Sequence, residues 1–125
     1  MYSPRIMSAV RPVHVHPTTL EIARKCGNGV FGEVYESRSG TALKIVVDRP
    51  NNQQALQFLK REAIALVRCR ELRIPHIIEI KEYFHNWHET LDSRGELIEI
   101  HKTAPAQSVS IPCDVMALSE RKPVK

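Results

Sequence analysis

Cysteine is scarce in this sequence, and its placement is as telling as its count. The three thiols, Cys26, Cys69 and Cys113, are odd in number, widely spaced and free of any C-x-x-C pairing, which argues against a disulfide framework and for small buried thiols in a reducing, cytoplasmic compartment. Long apolar runs are missing as well: none approaches the roughly 18 residues that span a bilayer, and the N-terminus has no continuous apolar core of a signal peptide, so neither a membrane partner nor secretion is expected. Charge of one sign is nowhere concentrated. The net charge is +4, but Lys and Arg are interleaved with Glu instead of forming a stripe, so no nucleic-acid partner is expected. His14, His16, His85 and His88 lack a second Cys or His pair at finger spacing, so no metal is assigned. At 125 residues, 42% hydrophobic and 26% charged, the chain has room for one globular domain with a modest core.

Glycine is also rare, which makes its clustering informative. Of five glycines, three stand in the segment Cys26-Gly27-Asn28-Gly29-Val30-Phe31-Gly32-Glu33-Val34-Tyr35, in a G-x-G-x-x-G frame. Such a frame serves where backbone must approach a ligand closely, with main-chain N–H groups turned on a phosphate chain. In a dinucleotide site the loop must open a helix. Here Glu33 to Ser37 is β-favouring, Ser37-Arg38-Ser39-Gly40 is a turn cluster, and Thr41 to Val47 reads as a second strand. The loop therefore joins two antiparallel strands and bends over its ligand as a flap.

On the Thr41–Val47 strand, Ala42, Lys44 and Val46 share one face and Leu43, Ile45 and Val47 the other. A lysine so flanked sits either on a solvated face or in a cleft with a partner. Asn51 or Asn52 is a fitting N-cap for a helix from Gln53 to about Arg70, whose stripe Leu59, Ala63, Leu66 and Arg70 marks the packed side. Glu62 lies beside that stripe. It either points to water or pairs with a cation, for which Lys44 is the natural candidate. Pro75 ends the helical segment; His76 to Phe84 resumes strand character, His85 to Gly95 reads as a polar turn, Glu96 to His101 as a short strand, Thr103 to Ser108 as a loop, and Val109 to Leu118 as a last strand interrupted by Pro112. Residues 1–17, with three prolines, are expected to be an extended arm, 18–118 the domain and 119–125 a flexible tail.

In this order and spacing, the stretch from Leu20 to Phe84 resembles the amino-terminal, ATP-binding lobe of the eukaryotic-type protein kinases. Gly27 to Val34 is similar to the family's glycine-rich flap, Thr41-Ala42-Leu43-Lys44 to its V-A-I-K strand, Gln57 to Leu66 to its glutamate-bearing helix, and His76 to Phe84 to the strand after it. The resemblance implies an α+β fold, a twisted antiparallel sheet of about five strands with one main helix. It implies ATP as cofactor, with Mg²⁺ expected alongside. Gly27, Asn28, Gly29, Val30, Phe31 and Gly32 would cover the phosphates, and Val34 and Ala42 would sandwich the adenine. Lys44 would contact the α and β phosphates, held by Glu62 as the second catalytic residue. Leu66 and Ile80 would belong to the hydrophobic spine. Asp114 to Leu118 resembles the last small-lobe strand, making Met116 the gatekeeper and Ala117 to Ser119 the hinge.

The sequence departs from the family where phosphoryl transfer is organised. It contains no H-R-D loop, no D-F-G metal site and no A-P-E segment, so it offers no recognisable ligands for Mg²⁺ and no residue to orient an acceptor hydroxyl. The expected function is an ATP-binding small lobe of a truncated kinase, inactive by itself, with a kinase large lobe as partner and a protein substrate only where such a lobe exists. The alternative is a pseudokinase-like module that docks on another kinase, with Val34, Ala42, Leu66 and Ile80 left partly exposed on an uncovered face.

Overall fold

The computed structural model describes residues 18–28, 32–104 and 110–119. The expected arm, the flap positions Gly29, Val30 and Phe31, and residues 120–125 lie outside the described residues. Among the described residues, six strands and one α-helix follow in the order β1 (Thr19–Asn28), β2 (Glu33–Ser37), β3 (Ala42–Val47), α1 (Gln53–Glu71), β4 (Ile80–Leu91), β5 (Leu97–His101) and β6 (Pro112–Leu118). A 3₁₀ turn, Pro50–Asn52, leads into α1.

The strands close into an antiparallel barrel in the order β1-β2-β3-β6-β4-β5. This corrects the expected fold of a kinase-like small lobe, a twisted antiparallel sheet of about five strands with one main helix: the sheet has six strands and closes on itself. Closure comes from the segment expected to be a polar turn. Beyond Phe84, β4 does not end but passes through a bulge between Phe84 and Trp87, where Asn86 takes a positive φ of 58°. The extra residue re-aims the strand, so that Trp87 returns to the interior with its ring 4.4 Å from that of Phe84. His88 to Leu91 then pair with β5, and β5 pairs with β1 through Thr19 with His101, Leu20 with Ile100 and Glu21 with Glu99. The hairpin between β4 and β5 is fixed by Asp92, whose Oδ1 accepts the N–H groups of Arg94 and Glu96, and by Gly95 at φ 82°; an Asx turn followed by a left-handed glycine suits this tight reversal.

Alternation along the strands separates two cores. The barrel interior holds Ile22, Tyr35, Leu43, Ile45, Phe84, Trp87, Leu97, Ile100, Cys113, Val115 and Ala117. On the outer wall, Val46, Ile80 and Met116 meet Leu56, Leu59 and Ala63 of α1. Leu59 is 1% exposed, and burying one such side chain contributes roughly 1.5 to 3 kcal/mol. Asn52 stands at the helix N-cap without a side-chain capping bond; its Nδ2 instead donates to the Val47 carbonyl at 2.9 Å. At the other end, Arg70 Nη1 donates to the Ile80 carbonyl at 2.7 Å. The helix is thus tied to the wall at both ends.

The thiols differ from expectation in one respect. Cys113 is buried and Cys69 half-buried, but Cys26 is exposed, because it stands on β1 where that strand passes through its second register shift against β2.

Candidate functional site

On the helix-facing wall, Lys44 Nζ donates to Glu62 Oε1 at 3.1 Å. The period of two that separates Lys44 from the apolar interior, and the helical spacing that puts Glu62 beside Leu59 and Leu66, are what bring these residues together. The Lys44 side chain is 20% exposed and that of Glu62 41%, so the pair lies at the edge of the helix contact. An ammonium carries three donors. One is taken by Glu62, and two can serve an anion.

The register around Lys44 is set on both sides. Val34 of β2 pairs with Lys44, as does Met116 of β6, while Ala42 lies two residues along the same face. Val34 and Ala42 are half-buried; Met116 is fully buried under α1. Of the four apolar residues expected to be partly exposed, Val34, Ala42 and Leu66 are so. Ile80 is not, at 1% exposed, because α1 covers it. Among the described flap residues, Gly27 has φ 153°, and Gly32 packs against β3 so closely that a Cβ would lie 2.6 Å from the Ile45 carbonyl oxygen. Asn28 and Gly32 border a different hollow from the wall that carries Lys44.

Two polar arrangements escaped the sequence reading. Asp114 is 1% exposed, on the strand that also carries Met116. It accepts from the Tyr83 hydroxyl, from the Asn86 N–H at 3.2 Å, and meets the His85 ring nitrogen at 3.0 Å. This carboxylate therefore satisfies the backbone of the β4 bulge, and burial, together with the bond to Asp114, pushes the Tyr83 hydroxyl well above its ordinary value. A lone acid in the apolar run Pro112 to Leu118 was the available signal.

The second arrangement lies at one mouth of the barrel. Glu33 accepts from the Tyr35 hydroxyl at 2.8 Å and from Lys25 Nζ at 3.1 Å. The Tyr35 hydroxyl above all holds the Glu33 carboxyl below its usual range. Burial drives Glu89 the other way, upward, aided by the charge of Glu33 and opposed by Arg49. Among the described residues no group of three His, Cys, Asp or Glu side chains could hold a metal, and no helix is long and apolar enough to cross a membrane. Comparison with protein-family models, with curated proteins and with solved structures finds no match.

Proposed function

We propose that the helix-facing wall binds ATP in the manner of a protein kinase, as a nucleotide half-site that needs a second body to complete it. The observation that carries this reading is the Lys44–Glu62 pair at 3.1 Å, flanked in register by Val34 and Met116. A surface lysine gains little from one carboxylate. A lysine fixed by a helix-borne glutamate, with two donors to spare and small or flexible apolar residues beside it, is equipped to neutralise phosphate oxygens while the adenine lies on Val34 and Ala42. Glu62 is then a positioning group. With no residues recognisable as Mg²⁺ ligands or as an acceptor-orienting Asp, the reading assigns binding to this chain and leaves phosphoryl transfer to a protein that supplies them.

Thermal denaturation of the 125-residue chain with MgATP tests this. A ligand at 100 times its Kd that binds only the folded state adds roughly 2.7 kcal/mol, a rise in Tm of several degrees for a domain of this size. Lys44→Met should abolish the shift, and Glu62→Gln should weaken it at least about tenfold in Kd. A shift of equal size in Lys44→Met would refute the reading.

A second reading, a module that docks on a kinase, draws on the same wall. Half-buried Val34, Ala42 and Leu66 present a one-sided apolar margin of the kind that partners cover. Co-purification with a kinase that persists in Lys44→Ala would favour docking over nucleotide binding, and a monomer that binds MgATP and no kinase would exclude it.

A further inference from the structure

Exposed large aliphatic side chains are not spread evenly over this molecule. Of the seven among the described residues, Ile64, Leu72, Ile74 and Ile77 belong to α1 and the turn that follows it. Lone exposed apolar residues need no explanation, but contiguous ones mark surfaces that a partner covers. Lys60, Ile64, Arg68 and Leu72 recur at every fourth position, all exposed, and so form one row on the side of the helix turned from the barrel. At the end of that row the helix closes in a Schellman turn. The Ile74 N–H donates to the Cys69 carbonyl at 3.0 Å and the Arg73 N–H to the Arg70 carbonyl at 3.1 Å, with Arg73 in the left-handed region at φ 55°. Ile74 and Cys69 both line a hollow of about 210 Å³, whose walls are completed by Ile77 and Ile78 and whose charged members are Arg70, Arg73 and Glu79. It is smaller than the roughly 300 to 1,000 Å³ of small-molecule sites and has room for one large side chain.

Charge decides what accompanies that side chain. From Lys60 to Glu79 the sequence carries five cations, Lys60, Arg61, Arg68, Arg70 and Arg73, against three acids, Glu62, Glu71 and Glu79. Folding widens the excess, because Glu62 is taken by Lys44. Arg70 is tied to the Ile80 carbonyl, but Lys60, Arg61, Arg68 and Arg73 make no ion pair among the described residues. Glycine is the usual residue at the Arg73 position of such a turn; arginine there holds a cation at the rim of the hollow against the preference of its own backbone. We propose that this end of α1 docks an acidic peptide segment of a protein partner. An aliphatic side chain of the segment enters the hollow between Ile74, Ile77 and Ile78, and flanking carboxylates pair with Arg73 and Arg68. A bilayer surface is flat on this scale and cannot fill the hollow, which favours a peptide over an anionic membrane. The surface is separate from Lys44, Glu62, Val34, Ala42 and Met116, none of which lines the hollow; it stands whether or not the wall binds ATP.

The test is an amide NMR titration of the whole chain with a short synthetic peptide of leucine and glutamate. Two further peptides serve as controls, one with glutamine for every glutamate and one with serine for every leucine. Shifts are expected at Arg68, Leu72, Arg73, Ile74 and Ile77 with the first peptide, and at least about tenfold weaker affinity for each control. Arg73→Gly suits the left-handed backbone and so should fold at least as well as wild type, yet it should bind the acidic peptide at least about fivefold more weakly. Lys102→Ala, which removes a cation just past β5, should leave the affinity unchanged. Equal affinity for the glutamate and glutamine peptides, wild-type affinity in Arg73→Gly, an equal loss in Lys102→Ala, or no shift at these amides up to about 1 mM peptide would each overturn the proposal. Sedimentation of the chain with vesicles of equal parts phosphatidylserine and phosphatidylcholine, lost in Arg73→Gly, would assign the surface to a membrane and overturn it as well.

Discussion

Replacing Gly32 by alanine separates two roles that a glycine-rich loop can have. If the residue is glycine only so that a ligand can come close, Gly32→Ala should cost affinity and little stability. The geometry predicts a stability loss in the free protein. A Cβ at position 32 would lie 2.6 Å from the Ile45 carbonyl oxygen and 2.8 Å from Val46 Cγ2. The side-chain methyl could rotate away, but the carbonyl cannot, because Ile45 is paired with Glu33 on one side and Val115 on the other and is 2% exposed in the barrel core. Relief therefore has to come from shifting β2 away from β3 at Glu33, which loosens the bond geometry of the strand that also carries Val34.

Overpacking of this kind costs about 1 to 3 kcal/mol. With a urea m-value of about 2 kcal/mol per M for a domain of this size, the midpoint should fall by roughly 0.5 to 1.5 M. The measurement is equilibrium urea unfolding by circular dichroism, without nucleotide. Val46→Ala in the same background should not restore the midpoint, since the closer atom is backbone. A midpoint for Gly32→Ala within about 0.2 M of wild type, or full rescue by Val46→Ala, would refute the assignment of Gly32 to strand packing.

Asp114→Ala leaves the Tyr83 hydroxyl and the Asn86 N–H without their acceptor and should cost about 3 kcal/mol or more in the same assay; a loss under about 1 kcal/mol would mean that the bulge does not depend on it. Glu89 should make its own mark on the pH dependence. Burial, then the charge of Glu33, raises its folded pKa, so the folded state holds the proton more tightly, and stability falls as pH rises from the ordinary carboxylate value of about 4.3 through the raised one. Glu89→Gln should lack that decline, being more stable than wild type at neutral pH and converging on it below about pH 4; parallel profiles would contradict the account. Glu33 has the opposite sign, its lowered pKa giving stability that is lost only as pH falls below the usual carboxylate range. Among the thiols, exposed Cys26 should react first with a maleimide in the native protein. Cys113, fully buried and with its thiol pushed well up by burial, should react only on unfolding, and early labelling of Cys113 would argue against its place in the barrel core.

Much of the wall was readable because its signals are local. Period-two alternation separated Lys44 from Leu43 and Ile45, helical spacing put Glu62 beside Leu59 and Leu66, and a charge in each apolar context asked for a partner. Barrel closure was not readable for the opposite reason. The seam joins β1 to β5, with Thr19 opposite His101, and a register so distant leaves no trace in either segment. The approach to it runs through His85-Asn86-Trp87-His88, whose polar residues resemble a turn; only the Asn86 bulge, supported by an acid from β6, lets Trp87 face inward. Asp114 and Glu89 were missed for different reasons: Asp114 lies in an expected strand, where an acid reads as solvent-facing until the pairing shows which side it takes, whereas Glu89 fell in the segment that reads as a polar turn and is instead part of β4.

Closure also explains why the candidate site lies where it does. A closed barrel buries its own interior, so the helix can pack only outside, and α1 lies on β3, β4 and β6. Met116, between Lys44 and Tyr83, is therefore sealed beneath it. Val34 and Ala42 lie toward the β2 side, where the helix does not reach, and they remain half-buried. Lys44 stands on the border between these regions, with its stem among packed apolar residues and its ammonium held out by Glu62. On the proposed reading, a cation fixed at the edge of an apolar margin would attract a ligand that joins negative charge to a flat apolar body, as ATP does. The same geometry predicts a graded response to substitution at the margin: Val34→Glu, which sets a second acid beside Lys44, should abolish MgATP binding, while Val34→Ile should change Kd by less than about tenfold.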